Sequence, residues 1–151
     1  MNKAWAAKNG FTIIELLVTI AVIGILVTIT VVSYNGIQQR SRDSERGSDI
    51  TQIKVAIDKY HAEQSGYPDA CSGGDNTDCP ASSLASILSP YLSAIPHDPR
   101  NTADSITDYR YIRGPLETDS YGLLVSYEAK PACKTGHNVI TSWWTVTVPT
   151  C

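Results

Sequence analysis

The sequence predicts an α+β protein: one long N-terminal helix, membrane-spanning in its first half and docked in its second half on a small C-terminal antiparallel β-sheet. Three observations carry this reading. An apolar run fills residues 11–32, with Glu15 as its single charge. Apolar residues then recur at helical spacing between Ile50 and Tyr60. The last third alternates apolar and polar residues between turn-forming segments.

The apolar run has 22 positions. At a rise of about 1.5 Å per residue it reaches about 33 Å, close to the hydrocarbon thickness of a bilayer. Thr12, Thr19, Thr28 and Thr30 can bond back to their own helix. Gly24 lies mid-run, where it permits close approach of a neighbour and marks the place for local opening. Lys3 and Lys8 precede the run, with no acid before Glu15. The positive-inside rule therefore keeps the N-terminus in the cytoplasm and places the chain beyond Val32 outside. A secretory signal has a shorter core, about 7–15 residues, and a small-residue cleavage site that Val31-Val32-Ser33-Tyr34-Asn35 does not supply. A plain signal anchor accounts for all of this except Glu15. An ionised carboxylate at the centre of a membrane helix costs about 2.5–3.5 kcal/mol on insertion scales. Something must compensate it, and the expected compensator is another protein subunit.

The order of Lys3 and Lys8, then Gly10, Phe11 and, five places into the chain that starts at Phe11, Glu15, resembles the type IV pilin superfamily. That superfamily includes major and minor pilins, type II secretion pseudopilins and competence pilins. The resemblance implies cleavage between Gly10 and Phe11 by a prepilin peptidase and N-methylation of Phe11. It implies extraction of the helix from the membrane into a helical filament by the pilus assembly machinery. Glu15 would there face the Phe11 amine of a neighbouring identical subunit, which gives the carboxylate its cation. The implied organisation is a leader at 1–10, a transmembrane and filament-core helix at 11–32, and an extracytoplasmic domain at 33–151. The implied localisation is single-pass in the cytoplasmic membrane with the N-terminus cytoplasmic, then extracellular in the pilus. Many members carry a proline near the end of the apolar stretch. None occurs here before Pro68, which leaves Gly24 as the place for any melting.

The chain has 151 residues, and about 119 of them lie beyond the apolar run, enough for one small domain. The net charge is −3, and the two lysines of the leader make residues 11–151 sum to −5. No basic stripe suits an extended nucleic-acid surface, although a local basic spot such as competence pilins need is compatible with this balance. Cys71, Cys79, Cys133 and Cys151 all lie beyond the membrane run and suit two disulfides in an oxidising compartment. Of three possible pairings, nearness in sequence favours Cys71–Cys79 and Cys133–Cys151. The resemblance supports the second, since pilins commonly close a C-terminal loop this way. A zinc site is disfavoured by the absence of C-x-x-C and by scattered histidines, so no metal or other cofactor is expected.

Residues 38–49 contain no apolar side chain, and the helix is expected to continue through them as a solvated neck above the bilayer. Arg40–Asp43, Arg42–Glu45 and Arg46–Asp49 stand three apart and can meet on its surface, each worth about 0.2–0.5 kcal/mol. Gly47-Ser48 offers a place to bend. Ile50, Ile53, Ile57 and Tyr60 form the docking stripe, and Gly66-Tyr67-Pro68 stops a helix expected to run from Phe11 to Ser65. Residues 69–80 read as a turn-rich loop. Its Asp75, Asn76 and Asp78 lack the later glutamate of an EF-hand, so a disulfide-closed turn is expected.

A short helix is expected at Ser82 to Leu92, with Leu84, Ile87, Leu88, Tyr91 and Leu92 inward. Ile95-Pro96-His97-Asp98-Pro99-Arg100 reads as a rigid extended loop. It resembles the Pro-x-Asp-Pro segment before the sheet in many pseudopilins, where nearby oxygens can hold calcium. Asp98, Asp104 and Asp108 are the matching region, and capping aspartates of a plain loop are the favoured reading. Strands are expected at Tyr109–Arg113, at Tyr121–Glu128 with Tyr121, Leu123, Val125 and Tyr127 on one face, and at Val139–Val148. The last would put Ile140, Trp144, Val146 and Val148 inward and Trp143 outward.

No catalytic set stands out: His61, His97 and His137 lie on different elements, without G-x-S-x-G or H-E-x-x-H. Three functions remain. The first is a pilin supporting adhesion, twitching motility or DNA uptake, which the Cys-terminated loop favours. The second is a type II secretion pseudopilin acting in protein export, toward which Pro-x-Asp-Pro leans. The third is a membrane-anchored enzyme or binding domain, for which the sequence offers no pocket.

Overall fold

The computed structural model describes residues 10–100, 108–144 and 147–151. Its element order is α1 (Ile13–Gln64), β1 (Asp78–Pro80), α2 (Ala85–Leu88), β2 (Arg110–Arg113), β3 (Tyr121–Val125) and β4 (Cys133–His137). The chain divides into two compact units, Met1–Gln38 and Gln39–Cys151, with α1 contributing to both.

In the first unit the large apolar side chains from Ile13 to Ile29 are about half-exposed or more. Such a surface is stable only in lipid or against other apolar helices. Among the described helices, α1 alone is long and apolar enough to cross a membrane.

In the second unit α1 ends where expected. Ser65 adopts a left-handed conformation (φ 56°) and its N–H bonds the His61 carbonyl at 2.8 Å, just before Gly66-Tyr67-Pro68. The stripe docks as the spacing predicts: Ile50, Ile53, Ala56 and Ile57 are buried with Tyr109, Tyr111, Tyr121, Leu123 and Val125 in one core. Tyr60 and Tyr127 pack at its edge.

The antiparallel sheet has the order β1-β2-β3-β4. Its register pairs Cys79 with Tyr111, Tyr111 with Leu123, and Leu123 with Thr135. Strand β1 replaces the end of the expected 69–80 loop. It is an edge strand, which accommodates Pro80, and its Asp78 is held to β2 by Arg110 at 2.6 Å. The expected Ser82–Leu92 helix is shorter: a 3₁₀ turn at Ala81–Leu84 runs into α2, and the Ser89-Pro90 step stops it. Leu84 and Leu88 are fully buried, whereas Tyr91 and Leu92 only flank the core.

The fourth strand is a correction. It is Cys133–His137, not Val139–Val148; residues 141–144 form a turn instead, and Thr145 and Val146 lie outside the described residues. The tryptophans are also exchanged, with Trp143 buried and Trp144 half-buried. The cause is a trench on the sheet's outer face, where Gly122 and Gly136 pair side by side. Both indoles fill it: a Cβ on Gly122 would stand about 3.0 Å from ring atoms of Trp143 and Trp144. The apolar spacing of 139–148 thus reflects rings laid over a sheet rather than a strand within it. Buried Lys134 fixes this loop by donating from Nζ to the carbonyls of Thr141 (2.8 Å) and Trp143 (3.1 Å).

Candidate functional site

The first site lies at the mouth of the apolar helix. Gly10 and Phe11 are exposed, and the helix begins at Ile13, which makes Thr12 its N-cap and Glu15 its third residue. The two close a reciprocal box. The Glu15 carboxylate accepts from Thr12 N–H (2.8 Å) and Thr12 Oγ1 (2.9 Å), while Glu15 N–H donates to Thr12 Oγ1 (3.2 Å). The carboxylate also sits at the positive end of the helix dipole. Within one chain, then, Glu15 is hydrogen-bonded but has no cation among the described residues.

Thr12 is the functional residue that sequence reasoning places wrongly. The T-x-x-E spacing of Thr12 and Glu15 is the signature of a capping box, whereas the expectation for Thr12 is a bond back to its own helix. The other threonines do bond back: Thr19 to the Glu15 and Leu16 carbonyls, Thr28 to Ile25 and Thr30 to Leu26. Thr12 cannot, because no helical turn precedes it.

The second feature is a buried charge cluster where the solvated neck was expected. Arg46 is 3 % exposed. Its guanidinium meets Asp98 through two nitrogens (2.6 and 2.9 Å), Asp43 at 2.6 Å and Glu128 at 2.9 Å. Arg42 grips Glu128 with two nitrogens, both at 2.7 Å, and Arg100 reaches it at 3.3 Å. Asp43 in turn accepts the backbone N–H of Glu128 and of Ala129, both at 2.9 Å. The pairs read from the sequence are replaced because Pro96–Arg100 and the segment after β3 close over this face of α1 and bring their own charges. Asp49, expected opposite Arg46, instead accepts from the buried Tyr109 hydroxyl at 2.7 Å.

The electrostatics mirror the contacts. Hydrogen bonds from Arg42, then Arg46, hold the Glu128 carboxyl down to about 2. Asp43 is pushed up by burial but held below its usual range by the N–H groups of Glu128 and Ala129 and by Arg46. The guanidinium of Arg46 is held more firmly protonated, first by Asp98. Burial, then Asp49, pushes the Tyr109 phenol far up.

This arrangement engages two of the carboxylates of the calcium reading, Asp98 and Asp108. Both Asp98 oxygens are engaged by Arg46. Asp108 accepts from the N–H groups of Asp98 (2.9 Å) and Tyr109 (2.7 Å) and lies 2.8 Å from His97 Nδ1. Asp104 lies outside the described residues. Among the described residues, no group of three or more His, Cys, Asp or Glu side chains is placed to hold a metal.

Cys71 bonds Cys79 (S–S 2.02 Å) and Cys133 bonds Cys151 (2.05 Å). His61 pairs with Asp119, His97 with Asp108, and His137 stands on β4, so the structure does not bring the three histidines together.

The fold and the helix mouth together define a pilin-like α+β protein with a capped, exposed apolar N-terminal helix. Comparison with known proteins gives the particulars. Residues 5–31 match the prokaryotic N-terminal methylation motif. The chain is 27 % identical to the type II secretion system core protein G of Escherichia coli strain K12, over 93 % of this chain and 94 % of that protein. It is 31 % identical to the core protein G of Aeromonas hydrophila over 45 % of this chain, and that match spans about half of the relative's length, 48 %. It is 35 % identical to the type IV major pilin PilA of Myxococcus xanthus strain DK1622, over 41 % of this chain and 28 % of that protein. No solved structure matches. This chain thus carries the N-terminal methylation motif, and it is similar to type II secretion core proteins G and to a type IV major pilin.

Proposed function

We propose that this protein is a non-enzymatic structural subunit of a type IV pilus-type filament. A prepilin peptidase cuts between Gly10 and Phe11, Phe11 is N-methylated, and the subunit leaves the membrane to assemble through α1 with identical copies. The observation that supports this best is Glu15. It stands at the mouth of an exposed apolar helix, inside the methylation motif, with hydrogen bonds from Thr12 but no cation of its own chain among the described residues. A free Phe11 amine on the neighbouring subunit supplies the missing charge.

Two finer readings are each favoured by an observation. The C-terminal staple Cys133–Cys151 and the likeness to the Myxococcus xanthus pilin favour a surface pilus serving adhesion, twitching motility or DNA uptake. The likeness to secretion core protein G over nearly the whole chain favours a pseudopilus at least as strongly. Sheared surface filaments built mainly of this chain support the pilus. Loss of exoprotein secretion on deletion, without surface filaments, supports the pseudopilus.

The substitution Glu15→Val tests the reading common to both. It removes the uncompensated carboxylate, so the protein should accumulate normally in the membrane while filament yield falls at least tenfold. Normal filament numbers would contradict the charge pairing.

A further inference from the structure

The two disulfides stand at opposite edges of the sheet. Cys79 lies on β1 at one edge and Cys133 on β4 at the other. The chain after β4 forms a strap, described at residues 138–144 and 147–151. Its end is stapled back to β4: Cys151 bonds Cys133, and Lys134 N–H bonds the Pro149 carbonyl at 2.9 Å. Its middle reaches across the sheet toward β1. The Trp143 ring lies over Gly122 of β3 and over Gly114, just past β2. A Cβ on Gly122 would stand 3.0 Å from its Cε3, and one on Gly114 3.1 Å from its Cζ2. Beyond them Trp143 Nε1 donates to Asn76 Oδ1 at 2.9 Å, and Trp144 Nε1 donates to Asp78 Oδ2 at 3.2 Å.

Both acceptors lie inside the loop closed by Cys71–Cys79. That loop is a fixed seat. Asn76 is left-handed (φ 60°) and its N–H bonds the Arg113 carbonyl at 2.7 Å, while Arg110 Nε holds Asp78 Oδ2 at 2.6 Å. The strap, by contrast, is strained. Asn138 and Trp144 are left-handed as well (φ 46° and 54°), and a bulky residue keeps that conformation only where its surroundings impose it. Trp143 is 4 % exposed, so its N–H would be left unpaired away from water if Asn76 withdrew. We propose that the Cys71–Cys79 loop is the catch that holds the C-terminal strap closed over the sheet. Opening that loop at one edge frees residues 138–144 even while the Cys133–Cys151 staple at the other edge stays intact. The two cross-links thereby act as one device, coupled through the indole N–H groups.

Amide exchange of the full chain in detergent, read by mass spectrometry, tests the coupling. With Cys71→Ser and Cys79→Ser together, peptides covering residues 141–144 should exchange about tenfold faster, while residues 53–57 of the docked helix stay protected. Unchanged exchange at 141–144 would overturn the proposal. A second set of variants keeps both disulfides and decides the matter if the first loses protection everywhere. Asn76→Gly keeps the left-handed backbone but removes the acceptor, whereas Asn76→Asp keeps the acceptor. The glycine variant should speed exchange at 141–144 several-fold, and the aspartate variant should leave it near the wild-type rate. Trp143→Phe keeps a ring without the N–H. It should match Asn76→Gly, and the two combined should add nothing further. Equal exchange in the glycine and aspartate variants, or additive effects of Asn76→Gly and Trp143→Phe, would overturn the catch.

Discussion

Arg46 is the cation at the centre of the buried charge cluster. Three carboxylates, Asp43, Asp98 and Glu128, converge on its guanidinium from α1, the proline loop and the segment after β3. Burying a cation among acids is a weak source of stability in itself, but removing it leaves those acids uncompensated. Arg46→Met should therefore lower unfolding stability by about 3–5 kcal/mol, measured by urea titration of the full chain in detergent. A loss under about 1 kcal/mol would mean that water reaches the acids. Glu128 makes the cluster sensitive to acid. Its folded pKa, about 2, lies below the ordinary 4.5, so the unfolded chain binds the proton more readily. The stabilisation is complete above about pH 4.5 and is lost as pH falls toward 2. Glu128→Gln should lower the melting temperature at neutral pH and flatten its fall between pH 4.5 and 2. An unchanged slope in that variant would assign the acid sensitivity to other groups.

The elements differ in how far the sequence reveals them. The docking stripe is legible because Ile50, Ile53 and Ile57 keep a helical period, and burial on one face demands it. The helix stop at Gly66-Tyr67-Pro68 and strands β2 and β3 are legible for similar local reasons. Strand β4 is not. Cys-Lys-Thr-Gly-His has no apolar alternation; its pairing with β3 and the Cys133 disulfide place it. Nor can spacing foretell that Gly122 and Gly136 meet and draw two indoles over the sheet. Of the helix mouth, the methylation motif is legible in the sequence, whereas the Thr12 cap is easily missed although its spacing to Glu15 is present. The charge cluster is hidden because two of the three carboxylates on Arg46, Asp98 and Glu128, come from segments 52 and more residues away.

The C-terminal loop depends on its staple. Cys151 N–H bonds the Lys134 carbonyl (3.0 Å), and Lys134 N–H bonds that of Pro149 (2.9 Å). The chain-entropy model gives such a disulfide about 3 kcal/mol. Cys133→Ser should therefore admit protease within residues 139–150 while the docked helix stays protected. Undiminished resistance in that loop would show that the backbone pairing and Lys134 suffice.

At the scale of the whole molecule the apolar half of α1 is exposed among the described residues, while the second unit has a formed core of its own. On the proposed reading such a chain is completed by its surroundings: lipid before assembly, and other copies after it. Glu15 distinguishes those two destinations, since lipid offers a carboxylate no cation and a processed neighbour does. On the proposed reading, processing at Gly10 creates that cation, so filament assembly depends on the covalent state of the assembled protein. The direct measurement is the intact mass of the chain taken from filaments. Charge pairing predicts a polypeptide that begins at Phe11, carries one added methyl group, and lacks four hydrogens for two disulfides. A mass corresponding to the unprocessed chain would contradict it.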